Sequence, residues 1–243
     1  MIRKPFIIAG LACAMAVPIV LAAQKAPRQI TWTFDRLDKI GGVDTKVEGN
    51  PKVVETPVGK AVEFDGVDDV LFIERHPLAG AETFTFEAIF RPDGGAVEQR
   101  WFHLASRDAK TGLLASAEHA KTGQDANSRF LFELRVIDGN QWCLDAFVNG
   151  PGYNKALMFR DKLHPIGQWY HVAQVYDGKI YRSYVNGEVQ GEAEIAFKPQ
   201  SEGVASVGSR INRVNYFHGA VRQARFTPKA LAPDQFLKIP GKK

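Results

Sequence analysis

The sequence predicts an all-β fold, a single domain of two antiparallel sheets packed face to face. Three observations predict it. Apolar and polar residues alternate with period two in run after run, Gly-containing turn clusters separate the runs at short intervals, and no segment before residue 228 sustains a helical period. The 243 residues, 45% hydrophobic and 24% charged, are enough for one real core and exclude wholesale disorder, collagen and coiled coil.

The first segment stands apart from the fold. Residues 1–23 carry Arg3 and Lys4, an apolar run from Phe6 to Leu21, and Ala22-Ala23 at the end. That is the pattern of a secretory signal peptide, and Pro18 interrupts it as a membrane span. The chain is therefore expected to be exported, periplasmic or extracellular, with no membrane insertion after cleavage. Cleavage removes Cys13 and leaves Cys143 alone, so no internal disulfide is expected. It also leaves 29 basic against 27 acidic residues, too even a balance to favour a nucleic-acid partner.

Strands follow in order. Ile30 to Asp35 alternates; Ala61 to Phe64 and Val70 to Ile73 flank an acidic turn, Asp65-Gly66-Val67-Asp68-Asp69. Phe84 to Phe90 puts Phe84, Phe86, Ala88 and Phe90 on one face, as a core strand should. Trp101 to Leu104 comes next, then Arg129 to Ile137 and Gln141 to Val148, joined by the hairpin signal Asp138-Gly139-Asn140. Trp169 to Tyr176 and Ile180 to Val185 flank Asp177-Gly178-Lys179, Asn186-Gly187 turns the chain again, and Val204 to Val207 and Tyr216 to Phe226 close the set. A short helix is expected at 230–237, and loops at 108–128 and 151–165. Cys143 sits in a strand with no local base, which reads as a packed thiol and not a nucleophile.

Four ordered segments carry a family resemblance. Gly59-Lys60-Ala61-Val62-Glu63-Phe64-Asp65-Gly66-Val67-Asp68-Asp69, the strand Phe84 to Pro92, Gln168-Trp169-Tyr170-His171-Val172-Ala173 with Asp177-Gly178 and Tyr184-Val185-Asn186-Gly187, and Phe217-His218-Gly219-Ala220-Val221 through Ala230-Leu231 together resemble the LamG-like jelly-roll family of the concanavalin A-like lectin/glucanase superfamily. The resemblance implies a concanavalin A-like jelly-roll sandwich. The expected division is a signal peptide at 1–23, an N-terminal strand and loop at 24–58, the jelly-roll core at 59–231 and a tail at 232–243. Many relatives bind calcium, and Asp35, Asp65, Asp68 and Asp69 are the oxygen ligands on offer. Against this, Arg222 stands where relatives carry an acidic residue.

The hairpin about Gly139 supplies the candidate site. If Phe130, Phe132, Leu134 and Val136 face the core, Glu133 and Arg135 face outward, and the turn length sets Glu133 opposite Asp145 and Arg135 opposite Cys143. Opposed side chains have Cβ atoms about 5 Å apart, close to the carboxyl separation of retaining glycosidases. Sugar recognition wants an aromatic platform beside Arg, Asn and carboxylate groups. The residues expected to bind a ligand are Trp101, Glu133, Arg135, Asp145, Asn149 and Tyr153. No HExxH, CxxC, P-loop, GxGxxG or GxSxG motif is present. The leading reading is a non-catalytic exported module that binds a glycan or an extracytoplasmic protein surface. The alternatives are a carbohydrate-active enzyme, a glycoside hydrolase or polysaccharide lyase with Glu133 and Asp145 as its acids, and a structural envelope protein.

Overall fold

A computed structural model describes residues 28–108, 112, 114 and 128–241. The expected signal peptide and most of the 108–128 loop lie outside the described residues. The rest builds two antiparallel sheets.

The eight-stranded sheet runs β15 (Glu188–Glu194), β14 (Ile180–Val185), β13 (Tyr170–Tyr176), β7 (Phe84–Pro92), β17 (His218–Thr227), β5 (Ala61–Asp65) and β4 (Lys52–Val54), with β1 (Ile30–Thr33) also on β17. The nine-stranded sheet runs β11 (Tyr153–Met158), β10 (Gln141–Gly150), β9 (Arg129–Ile137), β8 (Glu98–Ser106), β16 (Gly203–Val207), β6 (Val70–Ile73), β3 (Val43–Glu48) and β2 (Lys39–Ile40), with β12 (His164–Pro165) also on β10. This is the two-sheet jelly-roll sandwich in one domain. No helix among the described residues is long and apolar enough to cross a membrane.

The turns behave as their sequences require. Asn186 and Gly187 take φ of 51° and 85°, and Asp138 and Gly139 take 50° and 73°. These left-handed pairs match the twist of the strands they join, and Asn-Gly and Asp-Gly reach that region at least cost.

The core lies between the sheets. Phe84, Phe86, Ala88 and Phe90 of β7 meet Phe102, Phe130, Phe132 and Leu134 of β8 and β9, all fully buried. Rings interlock at short spacing, with Phe86 and Phe132 centroids 4.3 Å apart. Such contacts add to the area term that dominates stability in a chain whose one described cysteine, Cys143, is free and buried.

Three expectations change. Residues 28–58 supply four strands, β1 to β4, where one strand and a loop were expected. The expected loop at 151–165 contains β11 and β12. The tail helix shrinks to one 3-10 turn, Pro233–Gln235, because Pro233 opens it and no apolar period follows to propagate it.

The two outer faces differ. The tail lies across the eight-stranded sheet, where the Leu231 amide donates to Thr85 Oγ1 at 2.8 Å and the Leu237 amide to Glu87 Oε1 at 2.7 Å. Glu87, fully buried, also accepts from His171 Nε2 at 3.0 Å and Arg225 Nε at 2.6 Å. Burial alone would push the Glu87 carboxyl up, but these hydrogen bonds outweigh it and hold the group below the usual carboxylate range. A cavity of about 710 Å³ borders the tail beside His171, Asn186, Pro233 and Phe236. The polar groups beneath that strap are engaged with it.

Candidate functional site

The site is assembled on the outer face of the nine-stranded sheet by the hairpin β9–β10 and its neighbours β8 and β11. The register pairs Glu133 with Asp145 and Arg135 with Cys143. On the far side Arg100 pairs with Glu133 and Glu98 with Arg135, and Met158, Ala156 and Asn154 of β11 extend the rows of Asp145, Phe147 and Asn149.

The charges interlock. Arg135 donates to Asp145 Oδ2 from Nε at 2.9 Å and from Nη2 at 2.7 Å, and its Nη1 reaches Glu98 Oε2 at 2.7 Å. Arg100 contacts Glu98 and, through Nε, Glu133 Oε1. The Arg100–Glu133 contact is an ion pair without an aligned hydrogen bond. Glu133 and Asp145 are only 4% and 3% exposed. Burial pushes Glu133 up to about 7, with Arg100 opposing and Asp145 adding to the rise. Burial also raises Asp145, against the pull of Arg135.

Two expected ligand residues are corrected. Trp101 is wholly buried, stacked on Phe90 at 4.4 Å and on Phe132 at 5.1 Å. The ladder between β8 and β9 shifts register between Arg100 and Phe102, and this bulge lets two adjacent aromatics, Trp101 and Phe102, both turn inward. Tyr153 is also in the core, its ring 5.4 Å from Phe197, and Gln200 Nε2 donates to its hydroxyl at 3.2 Å. Burial pushes that hydroxyl up to about 12. Neither ring can stack on a ligand from outside.

Asn149 keeps its place on the outer face, half-buried, and accepts from Asn154 Nδ2 at Oδ1 at 2.9 Å. The aromatic of this face is Phe147, half-buried, with the Arg129 guanidinium 5.1 Å from its centroid. Sequence reasoning missed Phe147, Arg129, Arg100 and Glu98. The same period-two count that joins Glu133 to Asp145 would have found Phe147, two residues further along the strand.

A second cluster lies at the β5–β6 turn. The carboxylates of Asp65, Asp68 and Asp69 approach within 4.8 Å of one another, a set able to hold a metal ion. Asp35 is not among them, which corrects its place in the expected ligand set. Asp69 accepts from the Asn50 and Asp65 amides at 2.6 and 2.9 Å, and Asp65 Oδ1 from the Val67 amide at 2.8 Å. The side chains of Asp65 and Asp69 therefore shape the turn as well as offering oxygens. Burial and the neighbouring Asp65 and Asp68 charges raise Asp69, against those amides. Gly49 passes directly over the cluster, where a Cβ would lie 2.5 Å from Asp69 Oδ1 and 2.8 Å from Asp68 Oδ1. Hard, crowded carboxylate oxygens suit a divalent cation such as calcium. Arg222 is engaged with the Val58 carbonyl and the Gln223 side chain.

The sequence profile of the family Laminin_G_3, in the concanavalin A-like lectin/glucanases superfamily, matches residues 65–236. Among curated proteins, none matches this chain in sequence. Among solved structures, domain 4 of AbnA, a GH43 extracellular arabinanase from Geobacillus stearothermophilus, in complex with arabinotriose, aligns with a TM-score of 0.59 and 17% identity, over 86% of this chain and 96% of that one. The botulinum neurotoxin serotype D ligand binding domain in complex with N-acetylneuraminic acid aligns with a TM-score of 0.56 and 12% identity, over 84% of this chain and 48% of that one. A Trypanosoma rangeli sialidase in complex with the inhibitor DANA gives 0.51 and 12%, over 84% of this chain and 31% of that one. At these identities the likenesses show a shared fold.

Proposed function

This chain belongs to the concanavalin A-like lectin/glucanases superfamily, and on that premise we propose that it is an exported, non-catalytic module that binds carbohydrate on the outer face of β8 to β11. The contrast between the two sheets carries the reading. The eight-stranded sheet is strapped by the chain's own tail through Thr85 and Glu87. The nine-stranded sheet instead presents Arg135, Phe147, Asn149 and Asn154 side by side, partly exposed. A sugar ring needs an apolar patch flanked by donors and acceptors of fixed direction, and these four side chains supply both. The arabinotriose and N-acetylneuraminic acid in the complexes of similar fold support the same ligand class. Export rests on the residues 1–23 pattern.

The locked carboxylates favour binding over hydrolysis. Glu133 and Asp145 are each held by an arginine and buried, so neither is free to attack an anomeric carbon. One observation favours the enzyme reading: Glu133, pushed up to about 7, has the value wanted of a general acid. Calcium at Asp65, Asp68 and Asp69 belongs to this proposal as a structural ion, tying the β5–β6 turn to the loop at Gly49 and Asn50.

A glycan panel with the full chain tests the reading. Binding that is lost in Phe147→Ala and Asn149→Ala, with the fold intact, is the expected result. Silence towards every glycan overturns it, and release of reducing ends that stops in Glu133→Gln replaces it with the enzyme.

A further inference from the structure

The tail meets the eight-stranded sheet in two separate apolar clusters. Leu231 and Phe236 pack with Ala173, Val175 and Tyr184, and Ile239 packs with Ala61, Ile89, Trp169 and Ala220. His171 lies in sequence between Trp169 of one cluster and Ala173 of the other. It lines the cavity of about 710 Å³, whose walls include Phe236 from the first cluster and Ile239 from the second. A cavity of that size, mainly apolar with a few convergent polar groups, suits a small organic molecule.

The walls are set before any ligand arrives. The Leu237 amide is bound to Glu87, and Arg225 Nη2 donates to the Gln235 carbonyl at 2.7 Å. Asn186 accepts the His171 amide at Oδ1 at 3.0 Å and donates its own amide to the His171 carbonyl at 2.8 Å. The two nitrogens of the His171 ring differ. Nε2 lies 3.0 Å from Glu87 Oε1, and that carboxylate, held below the usual range, is ionised. An ionised carboxylate only accepts, so the proton of the neutral ring is on Nε2 and Nδ1 carries a lone pair. Among the described residues no hydrogen bond reaches Nδ1, and the ring opens on the cavity it lines, with 4% of the side chain exposed.

The charges at the mouth complete the pattern. Glu188, from the sheet turn, and Asp234, from the tail, both line the cavity and are exposed, and among the described residues neither forms a salt bridge. Lys238 stands against them as the one lysine of the lining.

We propose that this cavity binds a small organic amine in its protonated form, its apolar body against Phe236, Leu237 and Ile239 and its ammonium donating to His171 Nδ1 beside Glu188 and Asp234. The site lies on the opposite outer face from the carbohydrate reading and does not depend on it. An ammonium moved from water to an apolar wall is costly, and a charge-assisted hydrogen bond with two carboxylates nearby offsets that cost. A carboxylate in the same place would face a lone pair and two negative charges.

The test titrates the full chain at pH 8, where a free imidazole is largely neutral and an alkylamine is protonated. The probes are 2-phenylethylamine, the uncharged 2-phenylethanol and the anionic 3-phenylpropionate. The amine should bind about tenfold or more tighter than either of the others, and the double variant Glu188→Gln, Asp234→Asn should lose the preference. Both positions are exposed, so the variant should keep the wild-type melting temperature. In nitrogen NMR the His171 Nδ1 resonance should move as the amine is added. Equal affinity for amine and alcohol, unchanged in the variant, overturns the proposal, and so does tighter binding of 3-phenylpropionate, which would assign the cavity to Lys238. Amine binding that leaves His171 Nδ1 unmoved places the amine elsewhere and also overturns it, as does silence towards all three probes. None of these outcomes touches glycan binding on the other face, which is read with an oligosaccharide.

Discussion

Glu133 and Asp145 face one another across β9 and β10, and a different arginine holds each: Arg100 lies against Glu133 and Arg135 against Asp145. Two buried carboxylates at adjacent cross-strand positions would repel, so the arginines are what allow the pair to persist. Among the described residues Arg135 gives Asp145 an aligned hydrogen bond while Glu133 Oε1 has none, and burial pushes Glu133 up to about 7.

That rise fixes a pH dependence. The ordinary value of Glu133 is 4.5 and the folded value about 7, so between them the folded protein holds a proton that the unfolded chain has lost. Stability from this group is present at low pH and is lost as pH climbs through that window, by on the order of 3 kcal/mol. Glu133→Gln mimics the protonated form. Melting temperatures from pH 4 to 8 should turn progressively in the variant's favour; a constant difference between the two proteins contradicts the assignment.

Trp101 is a core residue. Trp101→Ala should lose about 3–5 kcal/mol in urea denaturation, from lost transfer and the cavity left among Phe90, Phe132 and Phe102. Trp101→Phe should cost less and leave ligand binding unchanged. Normal stability with abolished binding would return Trp101 to the ligand platform.

The tail strap depends on Glu87. Glu87→Ala leaves Arg225 and His171 facing a gap and should cost about 3 kcal/mol or more. Limited proteolysis should then cut beyond Thr227 faster than in the wild type. An unchanged digestion pattern would mean that the Leu231–Thr85 hydrogen bond and the apolar packing of Leu231 and Phe236 hold the strap without Glu87.

Calcium is tested at Asp68, whose carboxylate joins the acidic cluster while Asp65 and Asp69 shape the turn. Added calcium should raise the melting temperature of the wild type, chelator should reverse it, and Asp68→Asn should abolish the response. An equal response in Asp68→Asn places the ion elsewhere.

Much of this face could be read in the sequence because the Asp138-Gly139-Asn140 turn fixes the hairpin register, and register fixes which side chains meet. Trp101 was not legible, because a bulge in β8, the strand next to that hairpin, breaks the alternation on which its placement depends. Tyr153 was misplaced for a related reason: a Gly-Pro-Gly stretch reads as loop, yet Tyr153 starts an edge strand and reaches inward to Gln200. Strands such as β3 and β15 escaped notice because Val43–Glu48 and Glu188–Glu194 are short, charged and largely exposed, with little apolar alternation to reveal them. The turn aspartates were legible as a group, but Asp35 precedes β2 and only the fold could separate it from them.

Amide chemical-shift mapping with a bound oligosaccharide tests most directly whether carbohydrate sits on the β8 to β11 face. Perturbations should concentrate in residues 129–135, 143–149 and 153–158, with the tail at 228–239 silent. Shifts confined to the Asp65–Asp69 turn, or to the tail, would contradict it.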